Sequence, residues 1–196
     1  MAKQKQLSLA QQQRITKPLI EDVIPEYLDG DMKKSAMDFV AYLRKNRMSP
    51  SFARIANAWH NSYKGTGLYT IWICTKGSKD PYGKPRKWAI NPYLKHISHY
   101  EDIILQEGLQ HFIWNNVRPC KHHVTGDCNF HGCAPGTNKT ILGKEFKNVC
   151  IAHMHIGRPL MVAHDPDEAT IDCIKRLLEL ERKARVENYV SSAKRK

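Results

Sequence analysis

The chain has 196 residues, 41% of them hydrophobic and 26% charged, proportions that exclude a wholly disordered protein. No apolar run approaches the roughly 18 residues of a membrane-spanning helix, and no apolar stretch follows the basic start as a secretory leader would require, so the expected compartment is the cytoplasm. Thirty-one Lys and Arg against nineteen Asp and Glu give a net charge of +12, which favours an anionic partner, nucleic acid before a membrane surface.

Residues 1–18 are rich in Gln and Lys, contain no acid, and read as a flexible basic arm. Pro18 and Pro25 punctuate the approach to a first helix. In it Met32, Ala36, Phe39, Val40 and Leu43 recur at helical spacing, with Asp31 as N-cap and Asn46 and Pro50 at the end. From Trp59 the pattern turns to β. Trp59–Tyr63 and Leu68–Cys74 flank Lys64-Gly-Thr-Gly67 and predict a hairpin, and Lys87–Ile90 predicts a third strand. The turn-rich connection holds Lys76, Lys79, Lys84, Arg86 and Lys87 with Tyr82 and Trp88 interleaved. Cations beside aromatics can pair with phosphates while the rings stack on bases. The competing reading is a solvated hairpin tip.

Residues 98–117 predict two short helices broken at Gly108, the second built on Leu109, Phe112, Ile113 and Val117. Thr140–Leu142 and Val149–His155 predict strands. Asp165-Pro-Asp-Glu168 predicts an N-cap, a proline in the first helical position and a capping-box Glu. Ile171, Ile174, Leu177, Leu178 and Ala184 then line one face of a long last helix, and Lys194-Arg195-Lys196 close a basic tail from residue 191. The expected architecture is one α+β domain over residues 19–190, a mostly antiparallel sheet with helices packed to one side.

Six cysteines are present, and Cys120, Cys128, Cys133 and Cys150 fall within thirty-one residues. Interspersed are His122, His123, His131, His153 and His155, with Gly126, Gly132, Pro135 and Gly136 allowing the chain to bend around an ion. Thiolate and imidazole are the usual ligands of Zn²⁺, and a site closed by four thiolates is structural. Cys120, Cys128, Cys133 and Cys150 are the expected ligands, with His122, His123 or His131 as substitutes and His153 or His155 able to complete the set. Buried free thiols are the alternative. Cys74 and Cys173 lie in a strand-like and a helix-like stretch and read as core.

Asp38-Phe-Val-Ala-Tyr-Leu43, Cys133-Ala-Pro-Gly136, Thr140-Ile-Leu-Gly-Lys-Glu-Phe146 and Asn148-Val-Cys150 are similar to phrases from small uncharacterised proteins of gut clostridia. Over roughly residues 28–185 the core resembles small α+β domains related to GyrI-like ligand-binding domains. That resemblance implies a cavity walled by aromatics, for which Trp59, Trp72, Trp88 and Trp114 are available, holding a hydrophobic cation against a carboxylate.

Three functions follow as expectations. The first is a non-catalytic, zinc-stabilised module that binds nucleic acid or a nucleoprotein complex, as a regulator or as an accessory or inhibitor protein of a mobile element. The second is the GyrI-like sensing domain. The third rests on His153-Met154-His155, which is similar to the paired-histidine signature of HUH single-strand endonucleases. Alternate strand residues share a face, so both rings could hold one metal, with Tyr189 as nucleophile. A Walker P-loop, a G-x-S-x-G elbow and an H-E-x-x-H helix are absent from the sequence.

Overall fold

The computed structural model describes residues 7–63, 66–79, 84–120, 136–149 and 161–193, with side chains in the last stretch up to Glu187. It has α+β architecture. Helices α1 (Leu9–Thr16), α2 (Ile20–Tyr27) and α3 (Gly30–Lys45) lead into strands β1 (Ser51–Phe52), β2 (Ala58–Tyr63), β3 (Thr66–Ile73) and β4 (Trp88–Pro92). After a 3₁₀ turn at Ile97–His99 come α4 (Glu101–Gln106), α5 (Gln110–Asn116), β5 (Thr137–Ile141) and β6 (Lys144–Val149), then β7 (Ala163–His164) and the 26-residue α6 (Glu168–Ala193).

The main sheet is antiparallel with strand order β1-β2-β3-β4-β7, and β5-β6 form a separate hairpin. Its register sorts the side chains onto two faces. Phe52, Trp59, Ile71, Ile90 and Ala163 stand opposite one another across the five strands. This row, with Tyr69, Ile73 and Trp88, packs against Ile20, Val23 and Ile24 of α2, Phe39, Val40 and Leu43 of α3, and Ile171, Ile174 and Leu178 of α6. Each large apolar side chain buried in this way contributes about 1.5–3 kcal/mol. A second cluster joins Ile104, Leu109, Ile113, Ile141 and Met161 to Leu177, Leu180 and Ala184 of α6. The last helix thus serves two cores from adjacent stripes.

Several expectations are corrected. Residues 9–16 are a helix rather than part of a flexible arm. Ser8 and Gln11 form a reciprocal capping box, and α1 docks through a buried amide. Gln13 Nε2 donates to Asn57 Oδ1 at 2.6 Å, and Gln13 Oε1 accepts from the Asn57 N–H at 2.8 Å. Docking by hydrogen bonds leaves no apolar stripe in the sequence to announce it. The N-cap of α3 is Asp29, not Asp31, which sits in the first turn where a carboxylate suits the positive end of the helix. In the last helix Asp167, not Asp165, caps, its Oδ1 accepting from Thr170 N–H at 2.8 Å. Asp165 has φ +42°, and its Oδ1 accepts from the N–H groups of Lys87 and Trp88, each at 2.8 Å, so it fixes the start of β4.

Glu181 and Arg185, one turn apart on α6, are almost fully buried and belong to one network. Arg185 Nε donates to Glu181 Oε1 at 2.7 Å, while its Nη atoms donate to the carbonyls of Thr66, Gly67 and Tyr93 at 2.8–3.2 Å. Glu181 Oε2 also accepts from the Tyr100 hydroxyl at 2.7 Å and the His96 N–H at 3.0 Å. Charge compensation and full hydrogen bonding make this buried pair tolerable, and together they clamp α6 to the β2–β3 hairpin and the end of β4.

Candidate nucleic-acid interface

The face of the sheet opposite the helices brings polar and aromatic side chains from four strands together. Ala58, Trp72, Ala89 and His164 form one row across β2, β3, β4 and β7. His60, Thr70 and Asn91 form the next. Alanines on both sides of Trp72 leave space that larger residues would fill. The result is a cavity of about 500 Å³, walled by Tyr93, Arg86, Arg118 and Val162 and by Ala53 and Ile55 from the β1–β2 connection. The Tyr93 hydroxyl lies 3.2 Å from Thr70 Oγ1.

The electrostatics favour an anion. Two arginines and two histidines line the cavity, and no described Asp or Glu does. Asn91 is 92% buried, and its Oδ1 has no hydrogen-bond partner among the described residues. Arg86 Nε is likewise buried without one. A buried polar atom left unmatched costs about 1–3 kcal/mol, a cost borne here behind the cavity wall. A second concavity at Arg47, Tyr63, Arg182 and Lys183 also contains Glu179 and Glu187, which offset its positive field.

The sequence-predicted basic loop is partly joined to this face. Lys79 and Pro85 form a bridge, the Arg86 N–H donates to Ser78 O, and the Cys74 N–H donates to Lys87 O, so the β3–β4 connection continues as a narrow ladder. Lys76, Lys79 and Lys84 are exposed along it, and Arg86 turns into the cavity. Lys87 pairs with Asp29 at 3.0 Å, which lowers the Asp29 carboxyl below its usual range. Tyr82 lies outside the described residues. Trp88 is a correction: it is 0% exposed in the helix-facing core and cannot stack on a base. Strand alternation is the reason, because Trp88 opposes Ile73 on the core side while Trp72, one residue earlier, faces outward.

The four tryptophans do not share one cavity. Trp59 and Trp88 are in the core. Trp114 donates its Nε1–H to Ile141 O at 2.8 Å and carries Lys144 Nζ 5.2 Å from its ring centroid. Trp72 alone of the four lines the sheet-face cavity. His60, Thr70, Asn91, Tyr93, Arg118 and His164 were not singled out by sequence reasoning. Strand alternation about Trp59, Trp72 and Trp88 was the available signal for the first three.

Of the expected metal ligands, Cys120 is described and fully buried. Cys128, Cys133, Cys150, His122, His123, His131, His153 and His155 lie outside the described residues, as does the side chain of Tyr189. Among the described residues no three His, Cys, Asp or Glu groups are placed to hold an ion. The chain ends that bound those segments converge. Val117 bridges Met161, Pro119 bridges Val149, and the Cys120 N–H donates to Asn148 O at 2.7 Å. A Cβ built on Gly136 would stand 2.6 Å from Cys120 Cβ. Arg118, at the centre of this convergence, also lines the cavity.

No helix among the described residues is long and apolar enough to cross a membrane. No family model, curated protein or solved structure matches this chain.

Proposed function

We propose that this protein is a nucleic-acid-binding module whose contact surface is the cavity on the sheet face opposite the helices, with Trp72 and Tyr93 as stacking residues and Arg86, Arg118, His60 and His164 toward phosphate. The observation that carries this reading is a cavity walled by rings and cations and by no described carboxylate. Bases present π-faces to aromatic side chains while their phosphates need positive charge, and a strand carries both at regular intervals. Lys76, Lys79 and Lys84 extend the positive surface along the β3–β4 ladder, and the overall charge of +12 draws an anionic partner from a distance. The cavity's electrostatics suit a cationic ligand poorly, which separates this reading from a sensor of hydrophobic cations.

Zinc belongs to the same proposal as a structural element. Cys120, Cys128, Cys133 and Cys150 would hold it, closing the segments that leave from and return to residues 117–120. Gly136 follows Cys133 by three residues and Val149 precedes Cys150 directly, so the convergence of Cys120, Gly136 and Val149 supports the ligand set. Such a staple would also hold Arg118 in the cavity wall.

The test is fluorescence anisotropy of labelled single-stranded and duplex probes with the unsubstituted protein, Trp72→Leu and Arg86→Gln. Loss of one stacking ring is expected to weaken binding by about 1–3 kcal/mol. Unchanged affinity in both variants would remove the sheet face from the interface.

A further inference from the structure

From the way residues 54–57 are held we infer that α1 sets one wall of the sheet-face cavity and that Gln13 positions that wall for single-strand binding, an assignment that rests on the proposed nucleic-acid reading.

Three observations lead there. First, the β1–β2 connection supplies Ala53 and Ile55 to the cavity wall, yet Arg54 and Ile55 are exposed, so packing does not fix them. Within this connection Arg54 has φ +60° and Asn57 has φ +52°. Asparagine tolerates that region better than most residues and arginine does not. Such backbone persists only where its surroundings determine it. Secondly, α1 supplies the groups that do so. Gln13 makes a two-bond pair with Asn57, donating to Oδ1 and accepting from the N–H, and Arg14 Nε donates to the Arg54 carbonyl at 3.0 Å. Both positive-φ residues are thus clasped by adjacent residues of one helix. Bonds from Ala53 N–H to Ala58 O at 2.9 Å and from Ala58 N–H to Ile55 O at 3.2 Å close the turn, and Ile73 N–H to Asn57 O at 2.9 Å ties it to β3. Thirdly, the clasp is lightly anchored. Gln13 is the one buried residue of α1, and Ile15 on the same helix is 72% exposed. A short helix with so little apolar burial opens at low cost in free energy, which gives the wall a clasped and a loose state. A strand seated against the clasped wall favours the docked helix, and by reciprocity the docked helix favours the strand.

The test uses the full chain, unsubstituted and as Gln13→Ala, with oligothymidylate as the probe. Gln13 is neutral, so its loss removes no cation from phosphate. In the variant, amide hydrogen exchange is expected to be about tenfold faster at Ala53 and Ala58 and unchanged at Thr70 and Ile71 in the middle of the sheet. A general loss of stability would speed all four. Affinity for the probe is expected to fall about fivefold, with an unchanged salt slope. In the unsubstituted protein, saturating probe is expected to slow exchange at Gln12 and Lys17, whose N–H groups bond within α1 and at its end; this comparison stands whether or not the variant folds. Exchange at Ala53 and Ala58 that Gln13→Ala leaves unchanged would overturn the inference, as would α1 amides that the probe does not slow. Probe binding of equal affinity in both proteins defeats this inference alone; no binding by the unsubstituted protein defeats the nucleic-acid reading and this inference with it.

Discussion

Arg185 shows how much a single buried side chain can hold. Its guanidinium reaches Glu181 and the carbonyls of Thr66, Gly67 and Tyr93, and no apolar residue could satisfy those acceptors. Arg185→Met is expected to cost about 3–5 kcal/mol, because it strands a buried carboxylate, and urea unfolding measures it. Burial pushes the Glu181 carboxyl up, but the hydrogen bonds from His96, Tyr100 and Arg185 outweigh it and the net shift is downward. A carboxyl lowered in the folded state contributes stability that is complete above its unfolded value of about 4.3 and is lost as pH falls through the lower folded value. Unfolding free energy should therefore decline as the medium is acidified below that point, and decline less in Glu181→Gln; equal slopes would assign the acid sensitivity elsewhere. The Glu–x–x–x–Arg spacing was visible in the sequence, yet nothing in it showed that both members are buried. Trp72 and Trp88 make the same point for the site. Both were legible as strand residues, but which face the helices take depends on where α2, α3 and α6 pack, and that is a tertiary outcome.

At the scale of elements, the β2–β3 hairpin, β4, the helix pair broken at Gly108 and the last helix were readable, because alternation, turn residues and apolar stripes are local signals. Gly108 does adopt φ +71° between α4 and α5. Helices α1 and α2 escaped: α1 is polar and docks by its Gln13 amide, and α2 carries Pro25 within its span. The β5–β6 hairpin depends on a close approach that sequence does not announce. At Gly136 a side chain would stand 2.7 Å from the backbone carbon and oxygen of Asn148, atoms that cannot rotate away. Gly136→Ala is expected to destabilise by about 1–3 kcal/mol through overpacking, read as a lower melting temperature. An unchanged melting temperature would mean that the approach is looser than this geometry.

At the scale of the whole molecule, among the described residues the helices pack on one side of the sheet, and Trp72, Asn91 and the cations around them line a cavity on the other. Residues 117–120, from which the proposed zinc staple would be built, reach that face through Arg118. Because ligand binding and folding are coupled, Cys133→Ser is expected to lower zinc content and to destabilise the protein by several kcal/mol. Metal analysis of the purified variant checks this, and full occupancy would take Cys133 out of the site. The cysteine cluster is a local signal that sequence can propose as a ligand set, whereas the sheet face was not legible, since its residues are scattered over four strands.

If the cavity on the sheet reads phosphate and base together, single-strand affinity must fall with salt. Each phosphate neutralised contributes a slope of about −0.7 in log K against log salt, so three contacts give about −2. A slope at least that steep is expected in the unsubstituted protein, and one shallower by about one phosphate in Arg86→Gln. A flat line, or a slope that Arg86→Gln leaves untouched, would contradict it.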